Sequence, residues 1–288
     1  MSILVQNATI VTMDAKNSIY HQAAVAISGN KISKIYQEPY PQEKFDTIID
    51  AKGQVLLPGF INVHTHGLGV LLRGRSAAFW GNPARHADIA HFTGPLTADT
   101  ALLFAQLFLC ELLRSGCTTF VDSSDYGDSM AQAVDDGGLR AMIAGTNIKE
   151  DNPAMGQEKL QQSKDFIRKW QAKNDRMQPM LYAEAASSCS PALWQELAQL
   201  AKDKNIFITT HLAQSTEELA LMKEKYGQNC VSYLADCGVI NGHFLGVDGI
   251  HLTEEDLDLL ADLAASLASN PAANALHGQM PPIAPALS

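Results

Sequence analysis

The 288 residues contain only 5 cysteines, an odd number, and no two of them form a CxxC pair. That excludes a disulfide scaffold and predicts a reduced, cytoplasmic chain. Basic residues are scarce: 21 Lys and Arg face 31 Asp and Glu, giving a net charge of -10. A surface this acidic argues against nucleic acid or an anionic membrane as a partner, because both are held by basic patches. Long apolar runs are also missing. The longest stretch, from Ala101 to Leu113, is interrupted by Gln106 and Glu111, and a bilayer span needs ~20 residues. The segment from Met1 to Asp14 has neither the basic start nor the apolar centre of a secretory signal. No internal repeat or low-complexity tract occurs, apart from a Pro/Ala-rich tail after Pro271. What remains is an ordinary globular composition, 46% hydrophobic and 18% charged, long enough to bury a core without staples.

The beginning of the chain reads as β structure. Ile3-Leu4-Val5 and Thr9-Ile10-Val11 are β-branched runs, and Ser28-Gly29-Asn30-Lys31 is a tight-turn signal between Ala24–Ile27 and Ile32–Ile35. Residues 1–56 are therefore expected to form a small β domain. After Pro58-Gly59 the rhythm changes, and short apolar runs alternate with helical stretches. Strands are expected at Phe60–Val63, Thr118–Asp122, Leu139–Ala144, Met180–Ala183, Ile206–Thr210, Phe244–Val247 and, more weakly, Ala265–Ser269. Helices are expected at Thr100–Ser115, Asp128–Asp136, Gln157–Lys173, Pro191–Lys204, Glu217–Tyr226 and Glu254–Ala264. Gly116 sits where a helix end wants a left-handed residue, Pro191 opens a first turn, and Thr253 suits an N-cap. This alternation implies a parallel sheet. The fold class is α/β: a (β/α)8 TIM-type barrel over residues 57–288, lacking its last unit, beside the small N-terminal β domain.

In such barrels the site lies at the C-terminal ends of the strands. The first barrel strand ends Val63-His64-Thr65-His66. Residues two apart on a strand point the same way, so both imidazoles face one space, as two nitrogen ligands of one metal ion would. Alone the pair is weak, since a chain with this many histidines produces one by chance about one time in four. Thr209-Thr210-His211 puts another histidine at a strand end. By itself His211 reads equally well as a hydrogen-bonded core histidine. Together the three suggest a centre for one divalent ion, and three imidazoles suit zinc or iron.

Leu57-Pro58-Gly59-Phe60-Ile61-Asn62-Val63-His64-Thr65-His66 resembles the signature of the amidohydrolase superfamily, in the branch of cytosine, guanine and S-adenosylhomocysteine deaminases and triazine chlorohydrolases. Leu72-Arg73-Gly74, the segment Leu112–Asp122, Thr210–Gln214, Ile250–Glu255, Ser269–Asn274 and Ile283-Ala284-Pro285 resemble later segments of that branch in the same order. The resemblance implies a mononuclear metal site on His64, His66 and His211. It also implies hydrolytic deamination or dechlorination of a nitrogen heterocycle.

Three departures accompany the likeness. Gln214 stands where the family has a proton-shuttling Glu, and an amide exchanges no proton at neutral pH. Asp248 stands where the family has a His that polarises water; beside Gly249 it reads equally as a turn residue. The sequence stops at Ser288, before the strand that carries the family's metal-binding Asp. The readings of that end are a truncated product, a degenerate paralogue or a fold completed by another copy of the chain. Glu184 is a candidate substrate contact, with a surface carboxylate as the bland alternative. Asp122 supports the site or the fold, His251 is expected to be structural, and Trp80, His86 and His91 lie in the loop after the first barrel strand. The leading expectation is a metal-dependent aminohydrolase or chlorohydrolase. The alternative is an inactive relative that still binds a ligand or metal.

Overall fold

Turn chemistry and β-branched patterning account for the N-terminal segment. In the computed structural model, which describes residues 1–40, 43–74, 96–173, 175–276 and 278–286, this segment forms one sheet. Its strands are β1 (Ser2–Val11), β2 (Ile19–Ser28), β3 (Lys31–Gln37), β4 (Thr47–Asp50) and β5 (Val55–Leu56). The two runs expected at residues 3–5 and 9–11 are one continuous strand. The order is β3-β2-β1-β4, with β5 also on β1. β2 and β3 close as the expected hairpin across Gly29, whose φ of +61 needs a residue without Cβ strain. Ala8, Ile10, Ala23, Val25 and Ala51 form the buried core of one face. By contacts this unit covers Met1–Phe60, and Ile61–Ser288 is a second unit.

The second unit carries β6 (Phe60–Thr65), β7 (Cys117–Asp122), β8 (Arg140–Ile148), β9 (Met177–Ala185), β10 (Ile208–Leu212), β11 (Phe244–Asp248) and β12 (Ser266–Ala268). They lie side by side in chain order as a 7-stranded parallel sheet, a nearly closed barrel. Its helices are α1 (Ala98–Arg114), α2 (Gly127–Gly137), α3 (Pro153–Trp170), α4 (Pro191–Lys204), α5 (Thr216–Tyr226), α6 (Cys230–Asp236), α7 (Glu254–Asp262), α8 (Pro271–Leu276) and α9 (Ile283–Ala286). Thr97, Asn152, Ser190, Ser215, Asn229 and Thr253 each accept a main-chain N–H at a helix start, which fixes where those helices begin. Gly116 has φ +79, as its place after α1 requires. Helix α6 was not expected from the sequence. Strands β8 and β9 run further than their apolar runs, and β10 is shifted toward His211.

Strand alternation divides the core into two layers. Val121, Ala144, Met180, Tyr182, Leu245, Val247 and Ala268 fill the barrel interior. Phe120, Ile143, Leu181, Ile208 and Phe244 point outward and pack under helices. Burying each such large side chain contributes about 1.5–3 kcal/mol. The first residue of α2, Gly127, approaches β8 so closely that a Cβ there would lie 2.2 Å from the Ala144 carbonyl oxygen. Among the described residues no helix is long and apolar enough to cross a membrane.

Candidate metal centre

The alternation that buries the barrel interior also aims His64, His66 and His211 at one point. Their candidate ligand atoms all lie within 4.8 Å of one another. His66 Nε2 and His211 Nε2 are 3.4 Å apart. The ring centroids are 4.8 Å apart for His64 and His66, and 4.9 Å for His64 and His211.

Main-chain carbonyls set the tautomers. His66 Nδ1 meets Ser123 O at 3.0 Å, and His211 Nδ1 meets Glu184 O at 2.8 Å. A carbonyl oxygen only accepts, so each Nδ1 carries the proton and each Nε2 presents a lone pair. Two lone pairs facing each other at this distance repel unless a cation sits between them. A tetrahedral ion with ~2.0–2.1 Å bonds to nitrogen holds its ligands ~3.3 Å apart, which is close to the observed separation. His64 Nδ1 is buried with no hydrogen-bond partner among the described residues. The residues present fit a divalent ion.

The electrostatics point the same way. Burial, then the neighbouring His211 and His66, push the His64 imidazole down to about 2. Burial and His211 also lower His66, against weaker opposing effects from Glu184, the Ser123 carbonyl and Asp248. Both rings are neutral at physiological pH, the form that donates a lone pair to metal.

Asp122 braces the turn that follows His66. It is fully buried at the end of β7. Its Oδ1 accepts from the main-chain N–H of Gly67 at 2.6 Å, from Thr65 Oγ1 at 3.2 Å and from Ser124 Oγ at 3.1 Å; its Oδ2 accepts from Ser124 N at 3.3 Å. Burial nonetheless dominates these bonds and raises its carboxyl to about 6. Ser123, the next residue, supplies the carbonyl that orients His66, so this one strand end sets both the turn and the ring.

Asp248 ends β11 with φ 71, followed by Gly249 at φ 63. It is therefore a left-handed turn residue, yet its buried carboxylate reaches His66 electrostatically. Asn270 Nδ2 donates to its Oδ1 at 2.8 Å. Gln214 lies on the loop after His211, where Ala213 has φ 47. Its side chain is exposed, and its main-chain N–H donates to the buried Glu218 at 2.9 Å. The Gln214 amide makes no hydrogen bond among the described residues.

Glu184 stands at the end of β9 beside the histidines, with Oε1 3.6 Å from His211 Nδ1. Tyr182 Oη and Asn147 Nδ2 both donate to its Oε2, at 2.5 and 3.0 Å. Burial alone would raise its carboxyl, but His211, His66 and these two donors hold it below the usual value. Ser123, Asn147 and Tyr182 carried no signal in the sequence, because each acts only through a neighbour on another strand or two places along its own; Asn270 lies in a segment that carries the resemblance, but its bond to Asp248 was not legible there.

His243 precedes β11, at the opposite end of the strand from Asp248, and packs against Phe207 at 5.2 Å. His251 donates its main-chain N–H to Ala213 O at 3.0 Å. Neither belongs to the histidine cluster. Trp80, His86 and His91 lie outside the described residues.

A sequence profile of the amidohydrolase family matches residues 55–288. The chain belongs to the amidohydrolase family. This amidohydrolase is 32% identical over 279 residues to a 5-methylthioadenosine/S-adenosylhomocysteine deaminase of Halothermothrix orenii, a match covering 95% of the chain and 64% of that relative. The chain thus spans under two thirds of that relative's length. Among solved structures, an adenosine deaminase from Xanthomonas campestris with bound zinc superposes with a TM-score of 0.89 at 20% identity, covering 99% of this chain and 66% of the other. An atrazine chlorohydrolase from Arthrobacter aurescens complexed with zinc gives 0.88 at 20% identity, covering 99% and 69%. At that identity the two likenesses establish the barrel fold.

Proposed function

We propose that this amidohydrolase holds one divalent metal ion on His64, His66 and His211 and hydrolyses a C–N or C–Cl bond of a nitrogen heterocycle, with deamination the leading reaction. The carrying observation is the 3.4 Å approach of two Nε2 lone pairs whose rings are pinned through Nδ1. Zinc is favoured over iron. Three imidazoles suit both, but two structural neighbours were solved with zinc. When bound, the ion supplies Lewis acidity and a hydrolytic nucleophile at neutral pH.

The chain's own groups supply the remaining chemistry. Asp248 is anchored through Oδ1, which leaves Oδ2 to accept a proton near His66. Gln214 orients a substrate by hydrogen bonds but carries no proton. Glu184 contacts the substrate at the rim. A second reading, a protein that binds metal and ligand without turnover, is favoured by the amide at Gln214.

Metal analysis and product release separate the two. The wild type is expected to retain about one zinc-class ion per chain after dialysis. His64→Ala and His211→Ala should each lose it, whereas His243→Ala and His251→Ala should keep it. Ammonia or chloride release is then screened over purines, pyrimidines, pterins and triazines. Metal retention without release from any of these sinks the hydrolase reading in favour of the second. Equal metal in wild type and His211→Ala sinks the metal site itself.

A further inference from the structure

The two oxygens of Glu184 have different work. Strand alternation puts Tyr182 and Glu184 on the interior side of β9, with Tyr182 buried and its ring 5.9 Å from that of His66 and 6.1 Å from that of His211. The Tyr182 hydroxyl and the Asn147 amide both donate to Oε2. Neither donates to Oε1. The nearest ring nitrogen, His211 Nδ1, gives its proton to the Glu184 carbonyl oxygen, 2.8 Å away. The side chain is 53% exposed. One oxygen therefore fixes the carboxylate, and the other is presented at the rim of the histidine cluster with no donor among the described residues satisfying it.

We propose that Glu184 Oε1 is a specificity-determining acceptor that selects heterocycles presenting N–H donors, such as an exocyclic amino group, a ring N–H or a protonated amine, over halogenated, alkylated or anionic rings. The inference rests on the heterocycle reading above and deepens it. A carboxylate oxygen only accepts, so it bonds an amino group with charge assistance and repels a halogen or oxygen lone pair in the same place. Tyr182 and Asn147 make the acceptor rigid, which lowers the entropy lost on binding.

The same two donors predict what Glu184→Gln does. Both demand an acceptor at the Oε2 position, so the glutamine carbonyl oxygen settles there and its NH2 turns outward. The variant keeps the shape of the side chain and inverts the polarity of the presented atom.

The test is calorimetric binding of two size-matched rings, 2,4-diaminopyrimidine and 2,4-dimethylpyrimidine, to the zinc-loaded full chain. Wild type is expected to prefer the diamino ring by about tenfold. Glu184→Gln should bring the ratio to one or below, with zinc content unchanged. A ratio near one in the wild type, or an unchanged preference in Glu184→Gln, overturns the inference and leaves the heterocycle reading standing. Failure of both rings to bind the zinc-loaded wild type at millimolar concentration overturns the heterocycle reading, and this inference with it.

Discussion

Asp122 sets burial against hydrogen bonding, and Asp122→Asn tells which wins. Burial raises its carboxyl to about 6 from the ordinary 3.8, despite bonds from Gly67, Thr65 and Ser124. A carboxyl raised in the folded state binds its proton more tightly there than in the unfolded chain. Its contribution to stability is therefore full below the ordinary value, falls as pH rises toward about 6 and is constant above. The gap between the two values corresponds to about 3 kcal/mol. Asparagine has nearly the same shape, offers its oxygen to Gly67 and never ionises. In metal-free protein the stability of the wild type relative to Asp122→Asn should thus fall by about 2.4 kcal/mol between pH 4, where the unfolded carboxyl is already partly ionised, and pH 7. Differencing against the variant cancels the pH dependence of every other group. Urea unfolding of both proteins at four pH values reads this directly from the midpoints. A difference that stays flat with pH would refute the reasoning, because the carboxylate would then be ionised throughout and its hydrogen bonds would outweigh its burial.

Two further expectations concern packing. Gly127→Ala should cost about 3 kcal/mol or more, because the new Cβ meets main-chain atoms of Ala144 and Gly145 that have no rotamer to change; urea midpoints or soluble yield would show it. Cys110 is exposed, the other four thiols are buried, and burial pushes Cys189 and Cys230 up to about 12. A thiol reagent at pH 8 should therefore titrate Cys110 quickly and the others only after denaturation, and fast reaction of a second thiol would contradict the packing.

The parts of the fold that follow from local pattern were legible. His64 and His66 could be paired because alternation needs only their spacing, and His211 because it ends an apolar run. The extra lengths of β8 and β9 were hidden, since Gly145-Thr146-Asn147 and Glu184-Ala185 are not apolar and their pairing shifts register between Ala144 and Asn147. Helix α6 has only 7 residues, too few to show periodicity. The support of the site was hidden for a different reason. Asp122 reaches Thr65 and Gly67 across two adjacent strands, and Asn147 reaches Glu184 in the same way. Such contacts depend on strand register, which a single sequence does not display. For Asp248 the backbone shows the turn conformation, and that turn places its carboxylate within electrostatic reach of His66.

The imidazoles of His66 and His211 are oriented by main-chain oxygens, those of Ser123 and Glu184. Every residue has a carbonyl, so replacing either side chain leaves the ring tethers in place. Position 184 thus works through separate atoms: its backbone keeps the histidine aligned, and its side chain stands exposed at the rim of the cluster. Selection can rewrite the second without loosening the first. A barrel wired this way can change the group it presents at this position by single substitutions while its histidine face stays assembled throughout.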